Sequence, residues 1–441
     1  MVKRILSVIL AISIIFMLAP AYSFATGGTP VANFTQLKAA LEDAVTTEIV
    51  LTDNILIEKK AVTINPNKAS LVIDGNNKII IDADINSLTY TLHLAAKKTL
   101  KNIVLKNAII MGRNKYGLIT VPDGSSFSDV TITYENVTYT GPQMIWARYS
   151  NVIIKDCNIN VAPGYCNLVS YLVEAMNVTL LGNVQINKQV AGNCNELFQI
   201  NYQGKMVIGA NAVVNVLNGY DGTNTLLTSK SGFVYFSTCK SSMIFESGCK
   251  FTYTGMYAFQ DGCALANLIV NSGADVTITT IGNLKCTHGL FYVEGVMTVD
   301  PGSMLKLLAL YNTSCYPVIK FNNKSVLNVN SPRFFYLYNS STYKCNTGLA
   351  IGNICEMTIN YSNIYRLEYW VSNKSPYDAL TPATWNFVTS TGSPYSALVN
   401  LSSGVARSVL SLGYSGTTPL NTTTMSLKDV NVIRINFILP M

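Results

Sequence analysis

The sequence predicts an all-β chain wound into a right-handed, single-stranded parallel β-helix with a short N-terminal capping helix. Three observations carry that prediction: a scarcity of charge, a recurrent pattern of short alternating apolar stretches, and few hairpin turns. Of 441 residues only 12% are Asp, Glu, Lys or Arg while 49% are apolar. Disordered chains, coiled coils and long-helix bundles all need more charge than this.

Alternating stretches begin near Val130 (VTITYENVTY), Val152 (VIIKDCNINV), Val178 (VTLLGNVQIN), Met206 (MVIGANAVVNV), Met243 (MIFESGCKFTY), Leu268 (LIVNSGADVTI), Val296 (VMTVDPGSML), Val326 (VLNVNSPRFF) and Met357 (MTINYSNIYRL). Each holds two period-2 strands around a small turn, followed by a third apolar pair such as Leu168-Val169, Leu197-Phe198 or Leu290-Phe291. Asn-Gly and Asp-Gly turns are too few to close each unit as a hairpin, which argues against a sandwich. One coil per unit, each burying its inward residues on the coils above and below, fits the pattern. Asn, Thr and Ser at the corners then stack on their equivalents and satisfy backbone groups without charge.

In chain order, residues 1–25 read as a secretory signal peptide. Lys3 and Arg4 precede the apolar run 5–19, too short to span a bilayer, and Ser23-Phe24-Ala25 supplies a cleavage site before Thr26. Residues 26–57 form the N-terminal cap. Within 33–45, NFTQLKAALEDAV, Phe34, Leu37, Leu41 and Val45 share a helical face, Asn33 is the N-cap and Gln36 completes a capping box. This helix is expected to cover the open edge of the strands at 48–57 and 71–81. Residues 58–375 are the coils. The Ser/Thr/Gly-rich stretch 376–441 is a less regular C-terminal cap whose tail, VNVIRINFILPM, is a final strand.

The formal charge of +7 falls to +5 without Lys3 and Arg4 and is spread without clusters, which excludes nucleic acid as the partner. No further apolar segment of spanning length follows, so the expected product has no transmembrane anchor after cleavage and is secreted or held at the cell surface.

Ten cysteines occur. Cys166, Cys194, Cys263, Cys286, Cys315 and Cys345 each precede the third apolar pair of a unit and so occupy one corner of successive coils. Neighbouring coils lie about 4.8 Å apart, within disulfide range. The pairs Cys166–Cys194, Cys263–Cys286 and Cys315–Cys345 are candidate disulfide rungs, and a stacked file of free thiols fits the same spacing. With no CxxC and two histidines, His93 and His288, no metal site is predicted. Both histidines read as turn or satisfied interior residues.

Parallel β-helices host polysaccharide lyases and hydrolases, so catalysis needs a test. A lyase needs carboxylates stacked on adjacent coils to hold calcium, with an Arg or Lys base. Asp156, Glu174 and Glu246 instead fall at different points of their units. Paired-Asp hydrolase motifs are missing, and Thr287-His288-Gly289 is a faint echo of one. No catalytic residue and no cofactor is therefore assigned, calcium entering under the lyase alternative alone. With 25 Tyr, 16 Phe and 3 Trp, aromatics are the remaining resource, since sugar C–H faces stack on rings. Trp146, Arg148 and Tyr149 in MIWARYS, and Tyr365, Tyr369 and Trp370 in YSNIYRLEYW, are the candidate ligand-binding residues. The competing reading puts these rings in the coil interior or in stacked ladders.

Several segments in order resemble the pectate-lyase-like adhesive domain of exported Gram-positive surface proteins. FTQLKAALEDAVTTEIVLTDNI resembles its opening helix and strand, LVIDGNNKII its "IDG" turn, and NVTYTGPQ at 136–143 its N-V-x-Y-x-G-P-Q turn. NELFQINYQGKMVIGANAVVNV and SVLNVNSPRFFYLYN resemble its middle and late coils. The resemblance implies a β-helix with a surface-exposed adhesive role and no catalytic residues to carry over. The expected function is an exported, non-catalytic adhesin-like scaffold that binds polysaccharide, a surface glycan or a host or cell-wall component. The alternatives are a lyase or hydrolase acting on an acidic polysaccharide, and a structural surface-layer component.

Overall fold

The computed structural model describes residues 27–58, 61–82, 90–162, 171–188, 196–219, 232–255, 264–281 and 290–310, isolated positions between them, and from there to residue 437 chiefly strand backbones. The proposed leader, the six corner cysteines, His288, Leu168-Val169 and Tyr365 lie outside the described residues.

The chain is a parallel β-solenoid with three ladders. The first runs through Glu48–Leu51, Leu71–Asp74, the start of Asn102–Met111, the start of Thr131–Gly141, the end of Ile145–Lys155, the end of Val173–Leu181, Lys205–Ile208, Ser241–Phe245, Leu265–Val270 and the end of Phe291–Val299. The second holds Ile55–Ile57, Ile79–Asp82, the later halves of Asn102–Met111 and Thr131–Gly141, then Asn158–Val161, Asn183–Lys188, Val213–Asn218, Lys250–Gly255, Asp275–Thr280 and Met304–Ala309. The third consists of short strands, including Leu92–His93, Ile119–Thr120, the start of Ile145–Lys155, the start of Val173–Leu181, Phe198–Ile200 and Val234–Phe236.

Register was legible in the sequence. Val152 pairs with Val178, Val178 with Met206, Met206 with Met243, and Met243 with Leu268. The third pair is corrected in one coil: Val173 is the residue opposite Phe198, so Leu172-Val173 takes the place expected of Leu168-Val169. Two apolar pairs four residues apart satisfy the same periodicity, and only the inter-coil pairing separates them. NVTYTGPQ is likewise less a turn than a corner at Asn136 followed by second-ladder strand.

Period-2 alternation sends Ile, Val, Leu and Phe inward on all three ladders, and they merge into one continuous core. Each fully buried aliphatic contributes roughly 2 kcal/mol by removal from water. The corner between the first and second ladders holds Asn107, Asn136, Asp156 and Gly182 with φ of 51°, 52°, 53° and 62°. Asn and Asp tolerate this left-handed region and hydrogen-bond locally. Asn107 Nδ2 donates to Asp74 Oδ1 at 3.2 Å and Asn136 Nδ2 to Asn107 Oδ1 at 2.9 Å, an amide ladder from coil to coil. Asn177 Nδ2 donates to Asn151 Oδ1 at 2.7 Å on the corner before the first ladder.

Helix α1 spans Phe34–Glu42, with Phe34, Leu37, Ala40 and Leu41 buried. Asn33 Oδ1 accepts from Gln36 N at 3.0 Å, the N-cap expected, whereas the reciprocal bond runs from Ala32 N to Gln36 Oε1 at 2.7 Å, one residue before the cap. Val45 lies beyond the helix and is 82% exposed, so it does not join the apolar face. The helix C-terminus is closed by a residue with no sequence signal. Lys68 is fully buried and its ammonium donates to the carbonyls of Ala40, Asp43 and Thr46. Burial pulls its pKa below the ordinary lysine value against the opposing charge of Asp43.

Toward the C-terminus pairing becomes antiparallel. Val430–Phe437, the expected final strand, pairs with Thr347–Ala350 and Ala383–Thr389. No helix among the described residues is long and apolar enough to cross a membrane.

Candidate ligand-binding face

Third-ladder strands are short, and period-2 geometry turns one residue per coil away from the core; of these, His93, Trp146, Glu174 and Tyr235 are half-buried, whereas Thr120 and Gln199 are buried. Register then lines up His93, Thr120, Trp146, Glu174, Gln199 and Tyr235 in one file. Each follows an inward apolar residue, from Leu92 before His93 to Val234 before Tyr235.

Around Trp146 the file is aromatic. The Trp146 ring stacks on Tyr116 with centroids 4.6 Å apart and planes at 21°, and Tyr90 lies 5.7 Å from Trp146, 5.5 Å from Tyr116 and 4.7 Å from His93. The ammonium of Lys115 sits 5.0 Å over the Tyr116 ring. His93 is thus a half-buried residue on the outward file, correcting the expectation of a turn or interior position; burial lowers its pKa. Thr120 Oγ1, Gln143 Oε1 and Trp146 Nε1 are buried here with no hydrogen-bond partner among the described residues.

Two residues after Trp146 on the same coil, Arg148 Nη1 lies 3.2 Å from Asp123 Oδ2 and its Nε 3.5 Å from Glu174 Oε2 on the next coil. Gln143 Nε2 donates to Glu174 Oε1 at 3.3 Å. Burial raises the Glu174 pKa, opposed by the Arg148 cation. Tyr149 packs on the core and stacks on Tyr202 at 3.9 Å and 24°, and the hydrogen bond between them pushes the Tyr202 hydroxyl up to about 12. Tyr171 and Tyr235 lie 6.1 Å apart with nearly parallel planes.

The structure therefore brings Trp146, Arg148 and Tyr149 to one face, where the rings form stacked pairs. Tyr369 and Trp370 lie in the strand Leu367–Val371, opposite Leu337 and Tyr338 on the second ladder, and do not share that face. Sequence reasoning missed Tyr90, Tyr116, Asp123, Tyr171 and Tyr202, which come from corners and connections. The file itself had a signal: the residue after each third apolar pair. Of the carboxylates weighed above, Asp156 and Glu246 sit at the corner after the first ladder and Glu174 on the third. No cluster of three or more His, Cys, Asp or Glu able to hold a metal occurs among the described residues. Cys157 and Cys249 are buried thiols pushed up to about 11 and about 12 by desolvation, and Cys239 is exposed.

Residues 28–146 match the family of the pectate lyase-like adhesive domain. No curated protein matches the chain. Among solved structures, L. reuteri 100-23 SRRP superposes with a TM-score of 0.47 at 15% identity, covering 78% of this chain and 96% of that one. L. reuteri 53608 SRRP gives 0.38 at 17% identity, covering 78% and 99%.

Proposed function

We propose that this chain is an exported, adhesin-like scaffold that holds a polysaccharide or surface glycan along the outer face of the third ladder, without cleaving it. The observation that carries the reading is the file from His93 to Tyr235. Around Trp146 it combines half-buried stacked rings for sugar C–H faces with the ammonium of Lys115, over the Tyr116 ring, as a donor to hydroxyls. Repetition over several coils lets weak contacts add along a polymer. The match of residues 28–146 to an adhesive domain supports the same role.

A lyase or hydrolase is the second reading, favoured by the carboxylates Asp123 and Glu174 on one face with Arg148. Both are engaged with that guanidinium, which leaves the cation neutralised. The test is to incubate the protein with plant, mucin and bacterial-wall polysaccharides plus calcium, measuring retention on immobilised polymer and the mass of soluble products. Expected are retention of intact polymer and a loss of roughly tenfold in affinity for Trp146→Ala, about 1.4 kcal/mol. Released oligosaccharides would overturn the scaffold reading in favour of an enzyme.

A further inference from the structure

At the end of the second ladder, the inward position filled by Gly141, Val161, Gly255, Thr280 and Ala309 in other coils holds a charged and an amide side chain in two adjacent ones. Alternation in Asn183–Lys188 turns Val184, Ile186 and Lys188 inward, and in Val213–Asn218 it turns Val214, Val216 and Asn218 inward. The two strands pair in register, so Lys188 stands opposite Asn218, and each is 1% exposed. Parallel strands lie about 4.8 Å apart, a span a lysine side chain crosses. Glu196, 5% exposed, stands two residues before the third-ladder strand Phe198–Ile200. The same glycine touches both: Gly232 O accepts from Asn218 Nδ2 at 2.9 Å, and a Cβ on Gly232 would lie 3.4 Å from Glu196 Cγ. Tyr253 Oη is 3.2 Å from Asn218 Nδ2, and Phe233 packs 5.5 Å from Tyr253 and 5.1 Å from Phe251.

An amine, a carboxamide and a carboxylic acid shut together in an apolar pocket are the reactants and catalyst of a transamidation. We infer that Lys188 and Asn218 become joined by an intramolecular isopeptide bond, with Glu196 as the proton carrier. The neutral Nζ of Lys188 adds to Cγ of Asn218, and the Glu196 carboxyl hydrogen-bonds the oxygen that gains charge. A proton passes from Nζ through Glu196 to Nδ2, the Cγ–Nδ2 bond breaks, and ammonia leaves. Nothing is oxidised or reduced and no co-reactant enters. Burial supports the assignment by holding the Glu196 carboxyl above its usual range, and the charges of Glu196 and Lys188 act on one another. Lys68 marks the contrast, a buried lysine whose ammonium caps a helix through backbone carbonyls.

Intact mass spectrometry of the full chain after reduction tests the bond. Expected is a mass about 17 Da below that of the sequence, the loss of one ammonia. Trypsin should then fail to cleave after Lys188 and release a branched peptide joining the Lys188 and Asn218 segments. Asn218 precedes Gly219, and a succinimide there would lose the same mass while leaving the two peptides separate; that outcome, or the full sequence mass, overturns the inference. Lys188→Arg must abolish the branch, and a branch undiminished in Glu196→Gln would overturn the role given to Glu196.

Discussion

Two corners of the solenoid share one steric device and use it differently. Tyr139-Thr140-Gly141 and Tyr253-Thr254-Gly255 end second-ladder strands, with the tyrosine buried and the glycine two residues on also facing inward. The tyrosine curls over the glycine: a Cβ on Gly141 would meet Tyr139 Oη at 2.6 Å, and one on Gly255 would meet Tyr253 Oη at 2.3 Å. In the first corner the Tyr139 hydroxyl donates to Gln143 O. Asp82 Oδ2 nearby accepts from Thr91 Oγ1 at 3.1 Å and Asn114 N at 3.2 Å. In the second, the hydroxyl meets the Asn218 amide beside Lys188 and Glu196. The same room under a tyrosine makes a hydrogen-bonded seal at one place and a set of reactive groups at the other. A solenoid coil is held to the next by backbone hydrogen bonds and side-chain packing, so a covalent rung at the second corner would add a bond that unfolding cannot break between two coils.

The largest expected effect comes from removing the shared device. Gly141→Val and Gly255→Val each force the tyrosine out of place and should cost about 3 kcal/mol or more, read as a lowered midpoint in urea denaturation. A neutral result at either site would mean that its glycine is not what seats the tyrosine. Next is Asp82→Ala, which strips acceptors from the Thr91 hydroxyl and the Asn114 amide and should cost about 2 kcal/mol in the same assay. Tyr139→Phe and Tyr253→Phe separate the corners more finely. Tyr139→Phe leaves the buried Gln143 carbonyl without that donor and should cost about 1.5 kcal/mol. Tyr253→Phe removes a longer contact to an amide that also donates to Gly232, and about 0.5 kcal/mol is expected. Equal losses would sink the distinction.

The strand pattern and the register were legible because inward residues must recur every second position and at every coil. The places where coils differ in length were not, since the choice between Leu168-Val169 and Leu172-Val173 depends on a neighbouring strand. At the outer face Trp146 and Arg148 stand out by residue type, but Tyr90 and Tyr116 reach Trp146 from connections whose paths no local periodicity encodes. Lys188 and Asn218 were hidden for a different reason: a lysine or asparagine ending an alternating strand reads as a solvated terminus. Only the pairing of one strand with the next turns those two into a buried couple.

The smallest effect, a slope of stability with pH, tests whether the second corner holds its acid as described. Desolvation raises Glu196 above its ordinary value of 4.5, and the Lys188 charge opposes the shift. Between 4.5 and the folded-state value the native protein therefore keeps a proton that the unfolded chain has released. Stability contributed by that proton is present at low pH and lost as pH rises through the window. Glu174 shifts in the same direction for the same first cause, with Arg148 opposing. His93, whose pKa burial lowers, adds an opposite slope below about pH 6.5 in every variant, so the test is a difference: from about pH 4.5 to 7 urea midpoints should fall more, or rise less, in the wild type than in Glu196→Gln, and the double variant with Glu174→Gln should depart furthest. The amide bond adds a further discrimination, because forming it consumes the lysine cation that opposes the Glu196 shift. Lys188→Arg restores a permanent cation there and should flatten the slope relative to the crosslinked wild type; an unchanged slope would mean that Lys188 keeps its charge, uncrosslinked, in the wild type.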